Sequence, residues 1–271
     1  MEQPGVGLES PSYVQKRLVL GRHQKRVRDF CAAKGLPRMP EREKAYGVAK
    51  QPRALTGKAW NASSRAEYLK SSKYGKTDRF AVKGANANLN NKQVQAIDRL
   101  ASKYPLVDET LSKRGLAIST AATKGVAYTM RAGGEWRIVF DSTVFASKSS
   151  YMDNVWGDIS SGYLMPARKS DSVNYVVAHE IGHILQKSMA EKRYGAGFTN
   201  VEYIEFAAEY QDRIVARAVK SKRNKSDYVS GYAKDNPRDF FAECFANANC
   251  GKPNAYGKAL MELLREDGVL C

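Results

Sequence analysis

The sequence predicts an α+β domain over residues 88–271, a small twisted sheet packed on helices, behind a basic and partly helical or disordered arm over residues 1–87. Three observations lead there. Two strand-like runs flank Gly133-Gly134, a hairpin signal. From about Ser172 onward the apolar residues recur at helical spacing. The charge is uneven: residues 1–115 hold 24 Lys/Arg and 10 Asp/Glu, a net of +14, whereas residues 116–271 hold 20 and 18, a net of +2. That asymmetry points to different tasks for the two parts.

Composition narrows the class. Hydrophobic residues make up 43% and charged residues 27%, which excludes a wholly disordered chain and a collagen-like one. Cys31, Cys244, Cys250 and Cys271 form no C-x-x-C pair and are too sparse for a disulfide framework, so free thiols are expected. The N-terminus shows no basic segment followed by an apolar run, and no stretch reaches the roughly 18 apolar residues that cross a bilayer. The expectation is a chain without signal peptide or membrane span, cytoplasmic at synthesis.

In the arm, Ser12 can cap a helix over about Tyr13–Lys34, with Gly35 near its end. Pro37, Pro40, Gly47, Pro52 and Gly57 then prevent a long element, a short helix fits around Arg65–Leu69, and Lys83–Asn88 reads as a linker. Its excess charge, interleaved with Tyr13, Tyr46, Trp60, Tyr68 and Tyr74, suits attraction to a polyanion such as nucleic acid, although no nucleic-acid module motif is present. The plainer alternative is a solvated extension that serves solubility or docking. His23 lies within the arm and is not expected to be a ligand.

The domain follows in order. Asn90 caps a helix over about Asn91–Lys103, with Val94, Ile97, Leu100 and Ala101 on one face, and Tyr104-Pro105 ends it. Leu116–Ser119 is a short strand. Ala127–Arg131 and Glu135–Asp141 form the hairpin, with Trp136, Ile138 and Phe140 facing inward and Arg137, Val139 and Asp141 alternating with them. A short edge strand is expected at Tyr163–Met165, where an extended peptide could add as a further strand. Asn200–Val219 is a packing helix, and the run from Lys220 to Lys225 is a solvated helix end. Cys244 is expected in the core and Cys250 in a loop.

The chemistry centres on His179-Glu180-Ile181-Gly182-His183. Histidines four apart share a helical face, so both imidazoles can bind one zinc ion. Glu180 is rotated about 100° round the axis. It stands beside the metal and can take a proton from water. Val173, Val177, Ile181, Ile184 and Leu185 lie on the opposite face, so the helix is expected to bury one side against a sheet. No third histidine follows, so a carboxylate must complete the set. Asn236 is a good N-cap and Pro237 suits the first helical position. The new helix brings Asp239 and Glu243 to one face, with Phe241 and Phe245 on another. One carboxylate can ligate while the other orients a histidine.

Taken together, H-E-x-G-H and the later run Tyr232, Asn236, Asp239-Phe240-Phe241-Ala242-Glu243-Cys244-Phe245 resemble the catalytic domain of the anthrax-lethal-factor-like zinc metallopeptidases, relatives of which occur in phage-encoded proteins and bacterial toxins. The resemblance covers about residues 88–271 and not the arm. It implies a zincin-like fold: a small twisted sheet on an active-site helix, then a C-terminal helical subdomain. It implies zinc held by His179 and His183, Glu180 as general base, and Tyr232 as the oxyanion donor in hydrolysis of a peptide or protein substrate. The family's ligating Glu falls on Asp239, one methylene shorter, and its second acid on Glu243. If Asp239 is only a helix-start residue, Glu243 is the ligand. Two settings follow. One is a phage- or toxin-associated peptidase. The other is a virion structural or ejected protein whose basic arm docks nucleic acid or a partner and whose peptidase activity is weak or lost.

Overall fold

The computed structural model describes residues 80–81, 87–220, 229–251 and 253–270. The expected arm helices, His23, Cys31, Cys271, residues 83–86 of the linker and residues 221–225 of the basic run lie outside the described residues. What is described is a mixed α+β fold, as predicted.

The chain runs through β1 (Phe80–Ala81), α1 (Ala87–Lys103), α2 (Pro105–Arg114), β2 (Leu116–Ala121), β3 (Ala127–Ala132) and β4 (Glu135–Asp141). The strands form one sheet in the order β1-β2-β4-β3. β1 pairs in parallel with β2, so the folded part begins upstream of residue 88, inside the segment assigned to the arm. β2 and β4 are parallel, with Ile118 opposite Ile138, and β3 runs antiparallel to β4 along the edge. Gly133 and Gly134 turn the hairpin at φ 59° and 82°, the doubly left-handed backbone that tight two-residue turns need.

Three expectations for this region change. α1 starts at Ala87, so Asn90 is within its first turn and is not its cap. Tyr104-Pro105 does end α1, but Pro105 also opens α2, because a residue without an N–H costs nothing at the first helical position. In β4, Trp136, Ile138 and Phe140 are buried as foreseen, but so are Val139 and Asp141. The Asp141 carboxylate accepts N–H groups of Thr123, Thr143 and Val144 and so fastens the end of the strand.

Short helical turns follow, including α3 (Lys148–Tyr151) and α4 (Gly157–Ser160). The edge strand expected at Tyr163–Met165 is not formed. The carbonyls of Gly162 and Tyr163 accept from the N–H groups of Gly231 and Tyr232, and the Met165 N–H turns inward to Glu243. Met165 is fully buried, so this segment offers no edge to a ligand. Among the described residues the exposed edge beside the histidines is β3.

The rest is helical: α5 (Tyr175–Tyr194), α6 (Asn200–Ala218), α7 (Pro237–Asn249) and α8 (Ala255–Glu266). α5 is covered on nearly every side, by α7 above all and also by α1, α2, α6 and β3, rather than on the single face that its pattern suggested. At Gly182 a Cβ would sit 3.0 Å from the Ala242 Cα and 3.2 Å from the Phe245 Cβ, so the backbones of α5 and α7 touch there. α6 opens with a capping box, Thr199 and Glu202 bonding each other's backbone N–H. α7 starts as predicted, the Asn236 side chain accepting from the Arg238 N–H with Pro237 at the first position. α8 closes the core with Leu260, Leu263 and Leu264. Cys244 and Cys250 are both unbridged and both buried, Cys250 at the end of α7 and not in an open loop. No helix among the described residues is long and apolar enough to cross a membrane.

Candidate metal centre

One turn of α5 separates His179 from His183, and the Nε2 atoms of the two rings face each other at 3.1 Å. Asp239, in the first turn of α7, brings Oδ1 to 3.3 Å from the His183 Nε2 and 3.8 Å from the His179 Nε2. Ligands at the usual 2.0–2.1 Å from a tetrahedral zinc are about 3.4 Å apart, so these three donor atoms fit one such ion. The shorter side chain suffices because α7 lies in contact with α5 at Gly182.

Glu243 is one turn further along α7 and is fully buried. Its Oε1 lies 3.0 Å from Nδ1 of His179, the nitrogen on the far side of the ring from the donor cluster. Its Oε2 accepts from the Met165 N–H at 2.8 Å and the Tyr175 hydroxyl at 2.9 Å. A carboxylate can only accept, so the His179 Nδ1 proton points to Glu243, and Nε2 is the nitrogen turned toward Asp239 and His183. The two carboxylates, indistinguishable from spacing alone, therefore sit in different places: Asp239 with the histidines, Glu243 behind one of them.

The electrostatics suit a cation. Burial lowers the His179 pKa, but the carboxylates of Asp239 and Glu243 outweigh it and raise it to about 10. Burial likewise works against ionised Asp239, yet the two imidazoles hold it well below the usual carboxylate range.

Glu180 lines the same cleft as the donor cluster, and its Oε2 accepts the Thr129 hydroxyl of β3 at 2.6 Å. Thr129 was not anticipated; the hairpin was legible, but not which of its side chains meets α5. Tyr232 is 38% exposed, its ring 5.7 Å from that of His179. Its backbone N–H is held by the Tyr163 carbonyl at 3.0 Å. Burial, and then the charges of Asp239 and Glu180, push its phenol pKa up, so it stays a hydrogen-bond donor at neutral pH. A cleft of about 270 Å³ opens over these groups, with Tyr128 and Thr129 of β3 on one wall and Tyr232, Lys187 and Arg238 among its other residues. Lys187, Arg238 and Tyr203, which also lines the cleft, carried no sequence signal.

No protein-family model, no curated protein and no solved structure matches the chain.

Proposed function

We propose that this chain is a zinc-dependent endopeptidase of the zincin type. The observation that carries the reading is the group of three donor atoms from His179, His183 and Asp239, 3.1 to 3.8 Å apart, with Glu180 beside it. A zinc ion held there would supply Lewis acidity, polarising a peptide carbonyl and making water a better nucleophile near neutral pH. Glu180 accepts the proton of the attacking water and hands it to the leaving amine. Thr129 keeps that carboxylate oriented through its 2.6 Å hydrogen bond. Tyr232 donates its hydroxyl to the oxyanion of the tetrahedral adduct. Glu243 holds the His179 ring in place. An extended substrate would add to the exposed edge of β3, whose Tyr128 and Thr129 line the cleft. The basic arm, on its charge alone, we assign to docking on a polyanion.

Metal analysis of the purified protein beside a Glu180→Gln variant, followed by a peptide library, tests the enzyme reading. Both proteins should carry stoichiometric zinc, and the variant should cleave about 10²–10⁴ times more slowly. Equal cleavage by the two would reject the mechanism.

A further inference from the structure

Two cations border the donor cluster. Lys187 is one turn beyond His183 on α5, about 6 Å along the axis at 1.5 Å per residue, and Arg238 immediately precedes Asp239 on α7. Both are half-buried and both line the cleft. The Tyr203 ring lies against the pair, 5.6 Å from the Lys187 Nζ and 5.9 Å from the Arg238 Cζ, and Trp136 lies 5.6 Å from the same Nζ. Aromatic faces attract the charges but offer no lone pair to the N–H donors.

Among the described residues no carboxylate is within ion-pair distance of either cation, and the Arg238 side chain has one hydrogen bond, Nε to Asn236 at 3.4 Å. The outer surface behaves differently: Arg193 meets Glu209 at 2.7 Å and Arg213 meets Asp267 at 2.8 Å. Arg131, whose charge also opposes that of Lys187, is 3.5 Å from Glu191. Burial, and then the neighbouring Arg238, lower the Lys187 pKa against the opposing pull of the Glu180 carboxylate. Two like charges partly out of water, offset only by the Glu180 carboxylate beyond ion-pair distance, gain from an anion that bonds them directly.

We propose that Lys187 and Arg238 form a carboxylate-binding subsite that makes the enzyme selective for an anionic group close to the scissile bond. The proposal rests on the peptidase reading above. With the reacting carbonyl at the donor cluster, one turn of α5 spans about two residues of an extended peptide at 3.3–3.4 Å each. The carboxylate is therefore an Asp or Glu side chain within two residues of the cleaved bond, or the α-carboxylate of a substrate ending there.

The test uses the full-length, metal-loaded protein and fluorogenic peptides scanned with Glu, Gln and Lys at each position within two residues of the cleaved bond. Each peptide is made with a free and an amidated C-terminus. At one position Glu should exceed Gln in kcat/KM by about ten- to a hundredfold, or the free acid should exceed the amide if the chain end is the ligand. Lys187→Gln and Arg238→Gln should each collapse that ratio toward unity, and Lys187→Glu should turn the preference toward Lys. Thermal melting shows whether each variant is folded, and the two neutral variants are independent of one another. Equal cleavage of all peptides by wild type, with Glu180→Gln inactive, overturns the subsite and leaves the peptidase standing. If wild type cleaves no better than Glu180→Gln, the peptidase reading falls. Anisotropy of labelled Glu and Gln peptides on the Glu180→Gln protein then decides the subsite alone: acid-selective binding lost in an added Arg238→Gln sustains it, and equal binding overturns it.

Discussion

Charged side chains cross between α5 and α7 under cover and between α6 and α8 in the open. In the inner pair, Glu243 is fully buried and spends both oxygens on named partners: His179, Met165 and Tyr175. In the outer pair, the Arg213 guanidinium grips Asp267, just past the end of α8, at 2.8 and 2.9 Å, and Arg217 reaches Glu266 at 2.5 Å, with side chains 27 to 53% exposed. By distance alone the outer contacts look as strong. What differs is the solvent. A carboxylate taken out of water must be matched group by group, so its loss leaves its partners stranded; a carboxylate in water is rehydrated when its partner goes. The inner pair therefore fixes geometry at an energetic risk, and the outer pair adds little of either.

Glu243→Ala should show the contrast most strongly. It strands the Tyr175 hydroxyl, the Met165 N–H and the His179 Nδ1 in the core, so a loss of about 3–5 kcal/mol is expected in denaturant unfolding. Zinc affinity should fall about 10–100-fold, because the His179 ring is no longer oriented. Asp239→Ala should remove the metal with a smaller stability loss, its side chain being 17% exposed. A Glu243→Ala protein as stable as wild type would break the comparison, and zinc lost from it but kept by Asp239→Ala would reverse the two roles.

The next effect belongs to Gly182. Adding a Cβ there meets the backbone Cα of Ala242 at 3.0 Å, and backbone cannot rotate aside. Gly182→Ala gains up to about 1 kcal/mol of helix propensity but forces α7 outward at a cost of about 1–3 kcal/mol. Net destabilisation and weaker zinc binding should appear together in thermal melts and metal titrations, since Asp239 rides on the displaced helix. Stability gained without any change in zinc affinity would show that the contact does not set the site.

Gly182 also marks where reading the sequence stopped. The i, i+4 spacing of His179 and His183 and the Asn236-Pro237 helix start are local, and both were legible because one helix fixes them. The parts of Asp239 and Glu243 depend on how closely a second helix approaches, which no single-helix pattern encodes. Thr129 was missed for the same reason, as it reaches Glu180 across from β3. Tyr163–Met165 has strand-like residues but no partner strand; its backbone is claimed by Gly231, Tyr232 and Glu243. α2 was lost by treating Pro105 purely as a terminator. The apolar residues opposite His179 and His183 suggest one buried face for α5, yet the polar His179, Glu180 and Gln186 are each buried against a named polar partner as well.

The smallest expected effect lies in the outer pair, and acid should expose it. Burial is the largest single influence on Asp267 and works against its ionised form, but the hydrogen bonds from Arg213 and Tyr210 together prevail and lower its pKa. A carboxylate whose folded pKa lies below its unfolded value stabilises the fold above the unfolded value, about 3.9 for Asp. That contribution is lost as pH falls through the folded value. With the Arg213 side chain 34% and the Asp267 side chain 27% exposed, the pair is partly screened and should be worth about 0.2–1 kcal/mol. Wild type and Asp267→Asn should then differ by that amount at pH 7, and the gap should narrow below pH 4 and in high salt. A gap at pH 7 as large as that of Glu243→Ala, unmoved by salt, would mean that exposure is not what separates the two helix pairs. Bidentate contact with a single arginine would then hold α6 to α8 as firmly as the buried network holds α5 to α7.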